Sequence, residues 1–175
     1  MFRRPTSPRR LLVSAIAVLS VLAVGGTSIA AAGQSDLARV RYATAAFHDL
    51  GAAEAAGYGP FYICTDEPGQ GAMGQHYVNG ALVGDPTIDP LAPEALVYQP
   101  KRGGGLRLVG VEYVVFQADW DALHASRPSL FGRQFALVEA GNRYGLPAFY
   151  QLHAWIWKPN PSGMFNDWNP RVSCP

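Results

Sequence analysis

The sequence predicts an α+β domain, with an N-terminal helix packed on a mainly antiparallel, curved sheet or partly closed barrel. Two observations carry that expectation. Helical apolar spacing is confined to the first segment after the leader, and the rest of the chain reads mainly as strands and hairpins separated by Gly/Pro/Asn turn signals.

The leader comes first. Arg3, Arg4, Arg9 and Arg10 precede an uncharged apolar run, Leu11 to Val24, which is the n-region and h-region of a signal peptide. Fourteen residues of helix rise only about 21 Å against roughly 30 Å of hydrocarbon, so no permanent membrane span is expected. Ala30-Ala31-Ala32 offers an A-x-A cleavage site. The boundaries are therefore a signal peptide over 1–32 and a single secreted α+β domain over 33–175. Arg9-Arg10 ahead of Leu11-Leu12 leaves the general secretory and twin-arginine routes both open.

Ser35 or Asp36 caps a helix predicted from Asp36 to Ala56, on which Leu37, Val40, Ala43, Phe47 and Leu50 form one apolar stripe. Gly57, Gly59 and Pro60 stop it. Thr65 to Gly71 is polar and turn-like, which puts Cys64 at the start of a surface loop. Met73 to Asn79 reads as a strand, Asn79-Gly80 as a turn, and Gly84 to Pro93, with three prolines, as an extended loop. Leu96 to Gln99 and Leu106 to Gln117 are two strands of a hairpin closed by the Gly103-Gly104-Gly105 segment. Both faces of the second strand are largely apolar, as in a central strand. A short helix is expected over Asp119 to Ala125, an irregular stretch to Pro147, and a final strand from Phe149 to Lys158. The tail holds Phe165, Trp168 and Cys174 and is expected to pack back on the body.

Charge narrows the partners. The leader holds four of the 14 basic residues and none of the 13 acids, leaving ten bases against 13 acids, a net charge of −3. That removes any basic footprint for nucleic acid and leaves a small ligand or an envelope component as the expected partner. Cys64 and Cys174 are the only cysteines and face an oxidising compartment, so a disulfide is expected. Closing a loop of about 110 residues constrains the unfolded chain by about 4–5 kcal/mol in the chain-entropy picture.

His76, Glu112 and His153 fall in the middle of predicted strands. Glu112 shares its face with Leu108, Val114 and Phe116, so its carboxylate needs a partner or a metal once buried. Two imidazoles and a carboxylate meeting at one spot make a site for zinc, iron or copper, or an acid/base pair around a small ligand. The competing reading satisfies the histidines with backbone and pairs Glu112 with Arg107, Arg133 or Arg143. Gln151 and Trp155 share the strand parity of His153 and are the candidate lining residues. Trp155, Trp157 and Trp168 form either an aromatic wall for a ligand or ordinary core. His48 and His124 fall on predicted helices at solvent-facing or edge positions. Three functions stay open: a small-ligand or divalent-metal-binding domain, an enzyme using the same cluster, and an envelope interaction module without pocket chemistry.

The segments Gly74-Gln75-His76-Tyr77-Val78-Asn79, Val111-Glu112-Tyr113-Val114-Val115, Leu152-His153-Ala154-Trp155-Ile156-Trp157, Asn160-Pro161-Ser162-Gly163-Met164-Phe165 and Asn169-Pro170-Arg171-Val172-Ser173-Cys174 occur together. In this the chain resembles an uncharacterised family of small exported, mainly actinobacterial proteins. The resemblance spans nearly all of 33–175 and implies export and a shared fold without naming a reaction. It marks the same segments that hold His76, Glu112 and His153.

Overall fold

The structure, a computed structural model, describes Met1 and residues 27–175, with side chains from Gln34 onward. The signal peptide expected over 1–32 lies outside the described residues, apart from the backbone of 27–32, which is helical. In chain order the elements are α1 (Thr27–Thr44), a 3-10 turn (Ala45–His48), α2 (Leu50–Ala55), β1 (Gly59–Glu67), β2 (Gly71–Val78), α3 (Gly80–Val83), β3 (Ala95–Pro100), β4 (Leu106–Phe116), α4 (Gln117–Leu123), β5 (Ser129–Leu130), β6 (Arg133–Gln134), β7 (Ala136–Val138) and β8 (Phe149–Ala154). Six strands in the order β1-β2-β3-β4-β8-β7 form one antiparallel sheet, curled into a half-barrel, with β5 and β6 as a separate small hairpin. The α+β expectation is met. Among the described residues no helix is long and apolar enough to cross a membrane.

The sheet has two unlike faces. On one, Tyr77, Leu96, Val111 and Ala154 are successive cross-strand partners, and Leu37, Val40, Tyr58, Tyr98, Tyr113 and Leu152 complete the main core around them. The helical segment covers this side through Leu37 and Val40, with Phe47 and Leu50 packed against it. The other face carries a smaller cluster of Ala72, Val97, Val109, Trp155 and Val172. Leu108, Val111, Tyr113 and Val115 go to the first face and Val109 to the second, so β4, between β3 and β8, is buried on both sides as expected.

Four local expectations are corrected. The single helix expected over 36–56 begins earlier, without a cap at Ser35 or Asp36, and breaks at 45–49. The Tyr98 hydroxyl donates to the Phe47 carbonyl at 2.7 Å, and Asp49, extended at φ −87° and ψ 116°, caps a new helix by accepting from Gly51 N. Cys64 lies inside β1 instead of opening a loop: between Phe61, paired with His76, and Thr65, paired with Gly74, the strand bulges outward. Asn79-Gly80 is not a bare turn, because the Asn79 side chain accepts from Ala81 N and starts α3. The last strand stops at Ala154: Trp155 N turns to the Met164 carbonyl, while Trp157 N and Lys158 N both donate to the Val109 carbonyl.

The tail packs back as expected. Cys64 and Cys174 are bonded, with Cα atoms 5.6 Å apart. Asn169 bridges Ala72, and a Cβ at Gly71, where φ is +95°, would run into the Asn169 carbonyl. Only glycine permits this approach.

Candidate metal centre

Cross-strand partners in an antiparallel sheet project to the same face. One row of partners crosses four strands as Val78, Ala95, Glu112 and His153. His76 lies on the same face in the adjoining row, where its partner is Val97 and then Gly110. Strands β2 and β4 are separated by the full width of β3, roughly 9.6 Å between strand axes. On this face β3 contributes Val97, the partner of His76, and the small Ala95, the partner of Glu112, and across them the His76 and Glu112 side chains meet.

His76 Nε2 is 3.2 Å from Glu112 Oε2, and His153 Nδ1 is 3.3 Å from Glu112 Oε1. The imidazoles touch through their Nε2 atoms at 3.1 Å, with rings 84° apart, so one donates to the other according to tautomer. His76, Glu112 and His153 are 9%, 7% and 1% exposed. Glu112 pairs with these imidazoles and not with the arginines considered from sequence, since Arg133 and Arg143 lie over the rings of Phe165 and Trp168, and Arg107 is exposed.

Asp167 is a fourth member that sequence reasoning missed. Its Oδ1 lies 3.4 Å from His153 Nδ1, and its Oδ2 accepts from Gln151 Nε2 at 3.2 Å. The only signal available was a lone acid between Phe165 and Trp168 in a tail expected to fold back. Although two carboxylates lie within ion-pair reach of His153 Nδ1, neither meets hydrogen-bond geometry, leaving a buried nitrogen without an aligned partner.

Burial and charge act on the four groups in opposite senses. Burial drives His76 down to about 3, with His153 adding to the effect, so His76 is neutral. Burial also raises Glu112 well above the usual carboxylate range, against the pull of His153. Burial opposes a charge on His153, but the carboxylates of Glu112 and Asp167 outweigh it and raise its proton affinity. For Asp167, burial is overcome by His153, Gln151 and His76, which hold its carboxyl low.

The donor set fits a divalent transition metal. One ligand atom from each of His76, Glu112 and His153 lies within 4.8 Å of the others. Two atoms each about 2.1 Å from one ion at a tetrahedral angle stand roughly 3.4 Å apart, close to the 3.1 and 3.2 Å separations at His76 Nε2. Neutral His76 is already in its ligating form. With His153 ligating through Nε2, its Nδ1 is left between the carboxylates of Glu112 and Asp167, and Asp167, which is not one of the three donors, is placed to become the carboxylate that orients a metal-bound histidine.

His76, Glu112 and Gln151 form one end of a cavity of about 310 Å³ whose other walls include Phe61, Val78, Val83, Val114, Phe116, Tyr144, Leu146 and Phe149. His153 lies behind that end. Trp155 stacks parallel on His153 at 6.0 Å, donates its Nε1 to the Asn166 carbonyl, and sits with the smaller core cluster, outside the residues that line the cavity. The three tryptophans make no shared wall: Trp157 packs on the main core and donates to Thr44, and Trp168 lies under Arg143. His48 and His124 are exposed, beside Trp157 and Trp120.

Comparison with protein families, with curated proteins and with solved structures finds no match to this chain.

Proposed function

We propose that this chain is a secreted metal-binding domain that holds one divalent transition ion, such as zinc, iron or copper, on His76, Glu112 and His153 and keeps a coordination position open toward the adjoining cavity. The observation that carries the proposal is the convergence of three buried donors from three separate strands within 4.8 Å. Two imidazoles and one carboxylate leave room for a further ligand on a four-coordinate ion. When bound, the metal would supply Lewis acidity to that ligand. Asp167 sets the orientation of His153, and burial keeps bulk water from competing for the donors. Export is part of the same proposal, supported by the leader pattern, the family resemblance and the Cys64–Cys174 bond.

Elemental analysis of protein purified without immobilised-metal chromatography tests it. About one metal ion per chain is expected, lost in His76→Ala, Glu112→Ala and His153→Ala while the Cys64–Cys174 bond stays formed. A native protein that carries no metal and fails to take up zinc, copper or ferrous ion on titration refutes it.

A further inference from the structure

The cavity beside the cluster is lined mostly by apolar side chains. Its polar side chains beside the cluster are His76, Glu112 and Gln151, and the Gln151 Nε2 already donates to Asp167. The Tyr144 hydroxyl, on another wall, is directed at Met73 Sδ at 3.8 Å. The Tyr144 ring packs against Phe61 and Phe149, with centroids 5.9 and 6.2 Å away. A sugar or a charged amine along these walls would surrender hydrogen bonds to water with nothing to replace them. An apolar body loses nothing, and its burial is favourable by about 0.8 kcal/mol per methylene.

Size sets the scale of the occupant. An apolar cavity of about 150 Å³ takes a six-carbon ring, and this one, at about 310 Å³, is twice as large. It also lies in the range of dedicated small-molecule sites.

We infer that the cavity binds a mostly apolar molecule of roughly twelve carbons ending in a single oxygen donor, with the oxygen at the metal centre and the body between Phe61, Val83, Phe116 and Leu146. This rests on the metal-binding reading above, and it adds the chemical class of the ligand. The ion contributes two positive charges against Glu112 and Asp167, so a carboxylate, carbonyl or hydroxyl oxygen enters without facing an uncompensated anion.

Straight-chain carboxylates from butanoate to hexadecanoate, titrated calorimetrically into zinc-loaded protein, provide the test. Affinity should climb roughly fourfold per methylene and level off near twelve carbons, where the chain fills the cavity. Leu146→Trp, on the β7–β8 connection, and Val83→Trp, on α3, narrow the cavity from segments that carry no metal donor. Each should retain zinc and lose at least tenfold in decanoate affinity, and stripping zinc from native protein should do the same. Affinity independent of chain length, or decanoate bound equally by native protein and both tryptophan variants at full zinc occupancy, overturns the inference and leaves the metal centre standing. Undiminished decanoate binding after zinc removal overturns the placement of the oxygen. Failure of native protein to take up zinc defeats the earlier reading instead, and the zinc titration reports that before any carboxylate is added.

Discussion

Replacing Asp167 with asparagine tests the centre at a residue that is not itself one of the three donors. The substitution is nearly isosteric, and the amide oxygen it leaves still accepts from Gln151 Nε2, so the tail keeps its anchor. The other side-chain atom then becomes an amide NH₂ aimed at His153 Nδ1, which favours the imidazole tautomer with its proton on Nε2, the nitrogen that meets His76. Zinc-bound His153 is a neutral imidazole, so the substitution removes an orienting carboxylate and not an ion pair, and that carboxylate is 36% exposed. The range observed for removing such orienting carboxylates, 10–100-fold in metal affinity or about 1.4–2.7 kcal/mol, is the expected effect. Zinc affinity is measured by competition with a chromophoric chelator at pH 8, where protons compete least for the imidazoles. An Asp167→Asn affinity within twofold of native refutes the role given to Asp167 and the ligation of metal through His153 Nε2.

Three further outcomes are expected. Ala95 is fully buried between Val78 and Glu112 in the cross-strand row: Ala95→Leu should hold His76 and Glu112 apart, abolish zinc uptake in titration, and cost about 1–3 kcal/mol in urea unfolding. Burial raises the Glu94 carboxyl to about 8, against donation from the Glu94 and Val114 N–H groups. The unfolded chain therefore releases this proton near 4.5 while the folded protein keeps it, so the contribution is fully present below 4.5 and lost as pH rises through about 8. At 1.36 kcal/mol per pH unit, the loss is bounded by about 5 kcal/mol. Glu94→Gln keeps an acceptor for Val114 N and cannot titrate, so it should match native stability at pH 4.5 and exceed it by several kcal/mol at pH 9; parallel native and variant pH profiles would refute this. The double change Cys64→Ser, Cys174→Ser should lower stability by up to about 4–5 kcal/mol and loosen the tail that carries Asp167, read as hydrogen exchange at the Ala72 and Asn169 amides.

Much of the site was legible because strand periodicity is local. Alternation along β4 shows that Glu112 shares a face with apolar neighbours, and the same parity argument places Gln151 beside His153. It also put Trp155 on that face, where the indole stacks on His153 in the cluster that includes Val97, but the chain leaves the sheet after Ala154 and Trp155 is not among the residues that line the cavity. The helix expectation held in its apolar stripe and failed at its continuity: spacing sees the residues at 37, 40, 47 and 50 but not the hydroxyl of Tyr98, about fifty residues downstream, that takes the Phe47 carbonyl.

The residue order by itself determined the leader pattern, the hairpin of β3 and β4, the doubly buried character of β4 and the identity of the only two cysteines able to pair. All follow from properties within a few residues of each position or from simple counting. Tertiary structure alone decided that β8 docks beside β4, that β2 lies one strand further away, and that the small Ala95 between them lets two histidines and a glutamate meet. It also decided that the returning tail brings Asp167 to His153. Local periodicity assigns a side chain to a face, but the distance between side chains on non-adjacent strands depends on sheet order and curl, which arise from packing across the whole chain.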